Sequence, residues 1–280
     1  MGAVMKTERY YLKEIFPVLG NNGCNAYVDC YLPDKMHEIQ LDMEQYPCLV
    51  ICPGGAYMLV SERESEAMAL KFISEGYRIF VLHYSVAPHR FPQQLLEVAG
   101  AVELIHQNAK DWCCDPDDIA IMGFSAGGHL ACQYSNRYDC PEIREVFPNS
   151  KPVQKAILSY SVLTAKEPFV HRGSMENLLG HEPVSPDEKG CSCELLVTEH
   201  TPPTFLWHTA EDRDVPVENS LLYAGALAAA KVPFELHVYP YGGHGLCTVD
   251  ELTCVGLSER ERYAHRWIGD CKKWLKLMSS

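Results

Sequence analysis

No apolar run in this chain approaches the ~18 residues a membrane-spanning helix needs, so no membrane span is expected. Despite thirteen cysteines there is also no CxxC pair. Cys113 and Cys114 are adjacent, Cys191 and Cys193 form a CxC, and Cys48 and Cys52 stand four apart, spacings that do not fit structural zinc sites. The count is odd, and a chain of 280 residues can bury a core without covalent staples, so a disulfide framework is the weaker reading. Free thiols in a reducing cytosol, most of them acting as small hydrophobes, fit better. Residues 1–30 carry Lys6, Glu8, Arg9, Lys13 and Glu14 and lack the apolar stretch of a signal peptide, so the expected location is cytoplasmic. Positive charge is in deficit as well: 24 Lys and Arg against 37 Asp and Glu leave −13, a surface that repels phosphate backbones and makes a nucleic-acid partner unexpected. Neither a fixed-period repeat nor an excess of glycine or proline is present, which excludes collagen-like and solenoid architectures.

What is present is an ordinary globular composition, 47% hydrophobic and 22% charged, in a rhythm of strand-like and helix-like segments. Residues 1–44 are expected to hold an N-terminal hairpin, with strand-like pieces inside 8–33 that end at Gly20-Asn21-Asn22-Gly23 and Pro33-Asp34. CLVIC (48–52) and RIFVLHY (78–84) are continuous apolar runs, the pattern of strands buried on both faces. A helix is predicted over 62–75. A second follows Pro92, with Leu95, Val98-Ala99, Val102 and Ile105 on one face. Strands over 118–124, 156–161, 204–210 and 235–240 alternate with helices over 126–137, 217–231 and 257–277. Such alternation predicts an α/β domain whose mostly parallel sheet is covered by helices on both faces. It places ligands at the carboxyl ends of the strands. Residues 163–200, interrupted by Pro168, Pro183, Pro186 and Gly190, break the rhythm and are expected to form a lid-like insertion in a single domain over 1–280.

The chemistry centres on Gly123-Phe124-Ser125-Ala126-Gly127, a GxSxG between an apolar strand and a helix of small residues. In that context a strained turn lifts a serine hydroxyl above the sheet, and small flanking residues let the turn close. A serine hydroxyl needs a base within reach, and sheet order locates an acid after a later strand and a histidine after the last. Strand 204–210 is followed by Glu211-Asp212-Arg213-Asp214, and strand 235–240 by Tyr241-Gly242-Gly243-His244-Gly245. His83, His208 and His237 lie within strands and read as structural, whereas His244 sits in a glycine-rich turn with no packing role. Among the acids Glu211, Asp212 and Asp214 remain alternatives, since only one can orient the imidazole. An acyl-transfer enzyme also needs backbone N–H groups for the oxyanion. One is expected at Ala126 and another in Pro53-Gly54-Gly55-Ala56-Tyr57, directly after CLVIC. Tyr57, with Met58, Leu59, Phe169, Met175, Leu178 and Leu179, is a candidate lining for the substrate pocket; plain core is the competing reading.

PGGAY (53–57), YSVAP (84–88) with FP (91–92), GFSAGGHLA (123–131), PPTFLWHT (202–209), DxxVP (212–216) and GGHG (242–245), taken in that order, resemble the α/β-hydrolase esterases. The resemblance runs from about residue 45 to 276. It is closest to the bacterial carbohydrate acetylesterase and acetylxylan-esterase-like group, related to the hormone-sensitive-lipase type. It implies Ser125 as nucleophile, His244 as base, Asp212 as the acid of HxxxDxxVP counted from His208, and Gly55, Ala56 and Ala126 as oxyanion donors. Where the lipase group has HGGG this chain has Pro53-Gly54-Gly55-Ala56, which leaves open whether Gly55 or Ala56 donates. The implied activity is hydrolysis of short acyl esters, acetyl above all, of carbohydrate-derived or other small alcohols, with no metal and no organic cofactor. A prolyl-oligopeptidase-type peptidase, a lipid or aryl esterase, and a non-catalytic ligand-binding protein on the same fold are the alternatives.

Overall fold

The computed structural model describes residues 5–33 and 45–279. Along the chain stand β1 (Lys6–Tyr11), α1 (Leu12–Ile15), β2 (Tyr27–Leu32), β3 (Tyr46–Cys52), α2 (Glu66–Ile73), β4 (Arg78–His83), α3 (Gln93–Trp112), β5 (Cys114–Phe124), α4 (Ser125–Arg137) and α5 (Pro141–Val146). They are followed by β6 (Lys155–Ser159), α6 (Arg172–Leu179), β7 (Thr204–Thr209), α7 (Glu218–Ala230), β8 (Phe234–Tyr239), α8 (Glu259–Arg262) and α9 (Arg266–Met278). All these strands join one sheet in the order β1-β2-β4-β3-β5-β6-β7-β8. β1 pairs antiparallel with β2 and β2 antiparallel with β4, while every pairing from β4 to β8 is parallel.

The apolar runs are continuous because successive side chains of a strand enter different cores. Cys48, Val50 and Cys52 point into one with Phe80, Ile121 and Leu158, closed by Leu95, Val98 and Val102 of α3, Leu130 of α4 and Tyr223 of α7. Leu49 and Ile51 point into the other with Ile79, Val81, Met122 and Ile157, closed by Phe72 of α2 and Trp267, Ile268, Cys271, Trp274 and Leu275 of α9. That spacing in α9 is one helical stripe, and its Trp267 stacks on Trp207 of β7 with ring centroids 4.9 Å apart. Burial of such a side chain stabilises by about 1.5–3 kcal/mol, so the stripe anchors the C-terminal helix firmly.

Several expected boundaries shift for local reasons. The N-terminal strands do pair antiparallel, but α1 and a 3-10 turn over Pro17–Gly23 connect them, so the glycine-asparagine stretch lies inside that turn rather than at a tight hairpin. Residues 1–4 and 34–44 of the expected hairpin lie outside the described residues. Strand β5 begins at Cys114, earlier than expected, because its Asp-Pro-Asp-Asp stretch bulges: Tyr46 opposes Cys114 while Cys48 already opposes Ile119. The helix expected over 62–75 is a 3-10 turn, Glu62–Glu64, and then α2, broken at Ser65 where Glu64 turns inward. Helix α5 was not foreseen.

The 163–200 insertion carries α6 and packs on the body through Val162, Ala165, Met175, Cys191 and Val215. Asn219 accepts the N–H groups of Leu163 and Thr164 and donates to the Phe169 carbonyl. Of the expected pocket candidates in this segment, Met175 and Leu178 are fully buried core.

Candidate active site

The turn from β5 to α4 has no loop at all. Phe124 is extended (φ −119°, ψ 133°) and Ser125, the next residue, has φ +52°, a left-handed conformation that side chains adopt only under constraint. The constraint is crowding. A Cβ on Gly123 would stand 2.4 Å from the Gly127 carbonyl oxygen, and one on Gly127 would stand 2.2 Å from the carbonyl oxygens of both Cys52 and Pro53. Glycine at both positions therefore lets α4 start against β3 and aims the serine out of the strand end.

His244 arrives from the loop after β8 and Asp212 from the loop after β7. His244 Nε2 lies 2.8 Å from Ser125 Oγ, and His244 Nδ1 lies 2.7 Å from Asp212 Oδ2. The other carboxylate oxygen of Asp212 accepts the N–H groups of Asp214 and Val215, each at 3.0 Å. His208 Nε2 stands 3.4 Å from Oδ2, and both side chains are fully buried. Burial opposes ionisation of Asp212, yet the hydrogen bonds from His208 and His244, the charge of His244 and the Val215 N–H outweigh it and hold the carboxyl below the usual range. Of the three candidate acids, Asp212 is the one at the imidazole; Asp214 and Glu211 are exposed.

The Pro53–Tyr57 loop is best read by accounting for its backbone groups. Tyr84 OH donates to the Pro53 carbonyl, Ser61 N–H to that of Gly54, Met58 and Leu59 N–H to that of Gly55, Asn177 Nδ2 to that of Ala56, and Ala87 N–H to that of Tyr57. The Gly54 N–H donates to Glu64 Oε2 at 2.7 Å. Among the described residues the N–H groups of Gly55, Ala56 and Tyr57 have no acceptor, and of these Gly55 and Ala56 line the cleft. All carbonyls of the loop are satisfied while these donors are left over. Ala126 N–H belongs to the first turn of α4, where a helix has no internal acceptor to offer. The helix end also carries partial positive charge beside the serine.

Ser125, His244, Gly55, Ala56, Met58, Leu59, Ser61, Arg63, Glu64, His171, Asp214 and Gly245 line a cleft of about 290 Å³. Tyr57 does not line it, contrary to expectation. Its φ of +56°, after Ala56 at +55°, turns the ring inward, where it is fully buried and its hydroxyl lies 2.7 Å from His129 Nδ1. Burial lowers His129 to about 4, so the imidazole is neutral at pH 7 and tethers the loop to α4. Met58 and Leu59, the next two residues, take the position at the cleft wall.

Sequence reasoning missed Glu64 and His171. Glu64 is 3% exposed, and besides the Gly54 N–H it accepts the Tyr160 hydroxyl at 2.6 Å. Tyr160 OH in turn accepts the Cys247 N–H at 3.1 Å, and its ring meets His244 edge-on with centroids 5.1 Å apart. Among the described residues no group of three or more His, Cys, Asp or Glu is arranged to hold a metal ion, and all cysteines are unpaired. No helix among them is long and apolar enough to cross a membrane.

Comparison with known proteins gives the family and the fold. Residues 28–227 match the BD-FAE family. The chain is 34% identical to an endo-1,4-beta-xylanase B of Butyrivibrio fibrisolvens over 82% of its own length and 37% of that protein. It is 30% identical to an acetylxylan esterase of Xylanibacter ruminicola over 92% of its length and 49% of that protein. The chain thus spans less than half the length of either relative. The crystal structure of an acetyl ester-xyloside bifunctional hydrolase from Caldicellulosiruptor lactoaceticus superposes with a TM-score of 0.82 at 34% identity, covering 100% of this chain and 99% of that one. The fold is that of the α/β-hydrolases, as the resemblance implied, and its mostly parallel sheet is what the alternation of strands and helices predicted.

Proposed function

The chain belongs to the BD-FAE family, and on that footing we propose that it is a serine carboxylesterase removing short acyl groups, acetyl foremost, from carbohydrate-derived alcohols. The observation that carries this reading is the continuous chain Ser125–His244–Asp212 at the mouth of a cleft edged by unused N–H donors. Ser125 Oγ attacks the ester carbonyl carbon as its proton passes to His244 Nε2. The oxyanion so formed is received by Ala126 N–H together with the Gly55 or Ala56 N–H. As the intermediate collapses, His244 returns the proton to the alcohol oxygen, the C–O bond breaks and an acyl-serine remains. Water then attacks that ester with its proton going to His244, and collapse releases the carboxylic acid and restores the serine hydroxyl. Asp212 stays ionised throughout, holding Nδ1–H and stabilising the imidazolium.

We read the chain as one catalytic domain working in the cytoplasm on a small-molecule ester. Thirteen cysteines, all unpaired, support a reducing compartment, and the net charge of −13 supports an uncharged ester over a nucleic-acid partner. The test is hydrolysis of p-nitrophenyl acetate, butyrate and octanoate by the wild type and by Ser125→Ala and His244→Ala. Acetate turnover that declines with acyl length and falls by several orders of magnitude in both variants is expected. Undiminished activity of Ser125→Ala would sink the mechanism. A preference for octanoate would favour the lipid-esterase reading, for which the exposed Met58 and Leu59 at the cleft wall are the supporting feature.

A further inference from the structure

We propose that His171 determines specificity by donating a hydrogen bond from Nε2 to an oxygen of the leaving alcohol. The enzyme would then favour esters whose alcohol carries a hydroxyl close to the ester oxygen, as sugars and other polyols do. The inference rests on the esterase reading above and adds the residue that selects the alcohol.

His171 lies immediately before α6 and lines the cleft with Ser125 and His244. Its ring is fixed by a capping interaction. Nδ1 stands 3.2 Å from the Ser174 N–H and 2.8 Å from Ser174 Oγ. A backbone N–H can only donate, so Nδ1 is the acceptor, and the proton of the neutral ring must reside on Nε2. Burial, with a smaller contribution from His244 and only partly offset by Asp214 and Asp212, keeps the ring below its ordinary value, which favours the neutral form. Among the described residues Nε2–H has no acceptor. A pre-set donor on a ring held by its own helix therefore edges the cleft without a protein partner.

The side of the cleft follows from the reaction. His244 must hand its proton to the alcohol oxygen, so the departing alcohol lies against His244. His171 lines the same cleft as His244 and Asp214, so an alcohol leaving against His244 passes through the space that His171 edges. Of the groups lining that cleft, Asp214 offers an acceptor and His171 a donor, a complementary pair for hydroxyl groups.

The experiment compares kcat/KM for glycerol monoacetate and propyl acetate, whose alcohols share a three-carbon chain and differ in hydroxyls. Acid release is followed in wild type, His171→Asn and His171→Gln. Asparagine keeps an oxygen able to cap α6 but has no donor at the Nε2 position. Glutamine extends an amide N–H toward that position. The ratio of glycerol monoacetate to propyl acetate should fall about tenfold in His171→Asn, the effect of one lost hydrogen bond, and recover in part in His171→Gln. An unchanged ratio, or parallel losses on both esters, would overturn the role of His171 while leaving the esterase reading intact. A wild type inactive on both esters would overturn both readings together.

Discussion

Replacing Glu64 by glutamine probes how the Pro53–Tyr57 loop, the proposed oxyanion site, is held. The carboxylate faces two donors, the Gly54 N–H at 2.7 Å and the Tyr160 hydroxyl at 2.6 Å, and it is buried. An amide of the same shape has a single acceptor oxygen. If that oxygen stays on Gly54, the amide NH₂ faces Tyr160, whose hydroxyl must turn its proton away although it already accepts the Cys247 N–H. If the amide is flipped, NH₂ faces N–H at Gly54. Either way one charge-assisted bond is lost, about 1.5–3 kcal/mol, and one buried donor is left unpaired, about 1–3 kcal/mol. The loop relieves this by moving, and it carries the unused Gly55 and Ala56 N–H groups with it. Withdrawal of one oxyanion donor lowers kcat by about 10²–10³. For Glu64→Gln we therefore expect kcat on p-nitrophenyl acetate to fall about 10²-fold with KM changed only a few-fold. Urea unfolding should show a stability loss of about 2–4 kcal/mol. Glu64→Gln/Tyr160→Phe should lose less than the sum of the two single changes, because the orphaned hydroxyl is gone. Wild-type kcat and stability in Glu64→Gln would refute the reasoning, since the carboxylate would then not be holding the loop.

Asp212→Asn should lower kcat by about 10³–10⁴, whereas Asp214→Asn stays within about tenfold; the reverse order would reassign the acid. Glu97, buried on α3 where it accepts the Ser85 N–H and hydroxyl and the Gln93 amide, is pushed by burial from 4.5 up to about 7. A raised carboxyl stabilises the fold fully below its unfolded value and loses that contribution as pH climbs toward 7, on the order of 3 kcal/mol. Urea midpoints measured from pH 4 to 8 should flatten across this window in Glu97→Gln, and an unchanged slope would contradict the assignment. Gly127→Ala should fail to fold or lose activity, because backbone carbonyls at 2.2 Å leave no room, while exposed Gly225→Ala in α7 meets nothing within 4 Å and should gain about 0.5–1 kcal/mol by thermal unfolding. Equal effects of the two glycine changes would show that crowding at the serine turn is not what selects glycine there.

Strands β3 and β4 could be read from the sequence because a strand buried on both faces is largely apolar throughout, and the GxSxG turn because only glycine fits between two backbones. Ser125, His244 and the acid loop were legible from turn chemistry at strand ends. Tyr57 was misplaced because the positive φ values of Ala56 and Tyr57 decide where its ring points, and neither residue type announces them. Glu64 sits in SERESEAM, where it looks like one more charge on a helix surface; only the break at Ser65 turns it inward. His171 left a faint trace, a histidine three residues before a serine at the start of MENLL, which is a capping pattern only once a helix is known to follow. Short α5 and α6 were hidden because one or two turns give too few repeats for a periodicity to show.

Asn177 of α6 donates to the Ala56 carbonyl at 2.9 Å, so the insertion between β6 and β7 is bonded to the peptide chain that carries the leftover donors. The segment that brings His171 to the alcohol and the segment expected to receive the oxyanion are thereby one mechanical unit. Substrate choice and turnover cannot be varied separately in such an arrangement. Grafting the insertion from a relative would exchange the alcohol-facing side chain and re-tension Ala56 in the same step, so chimeras should differ in kcat as well as in the esters they accept.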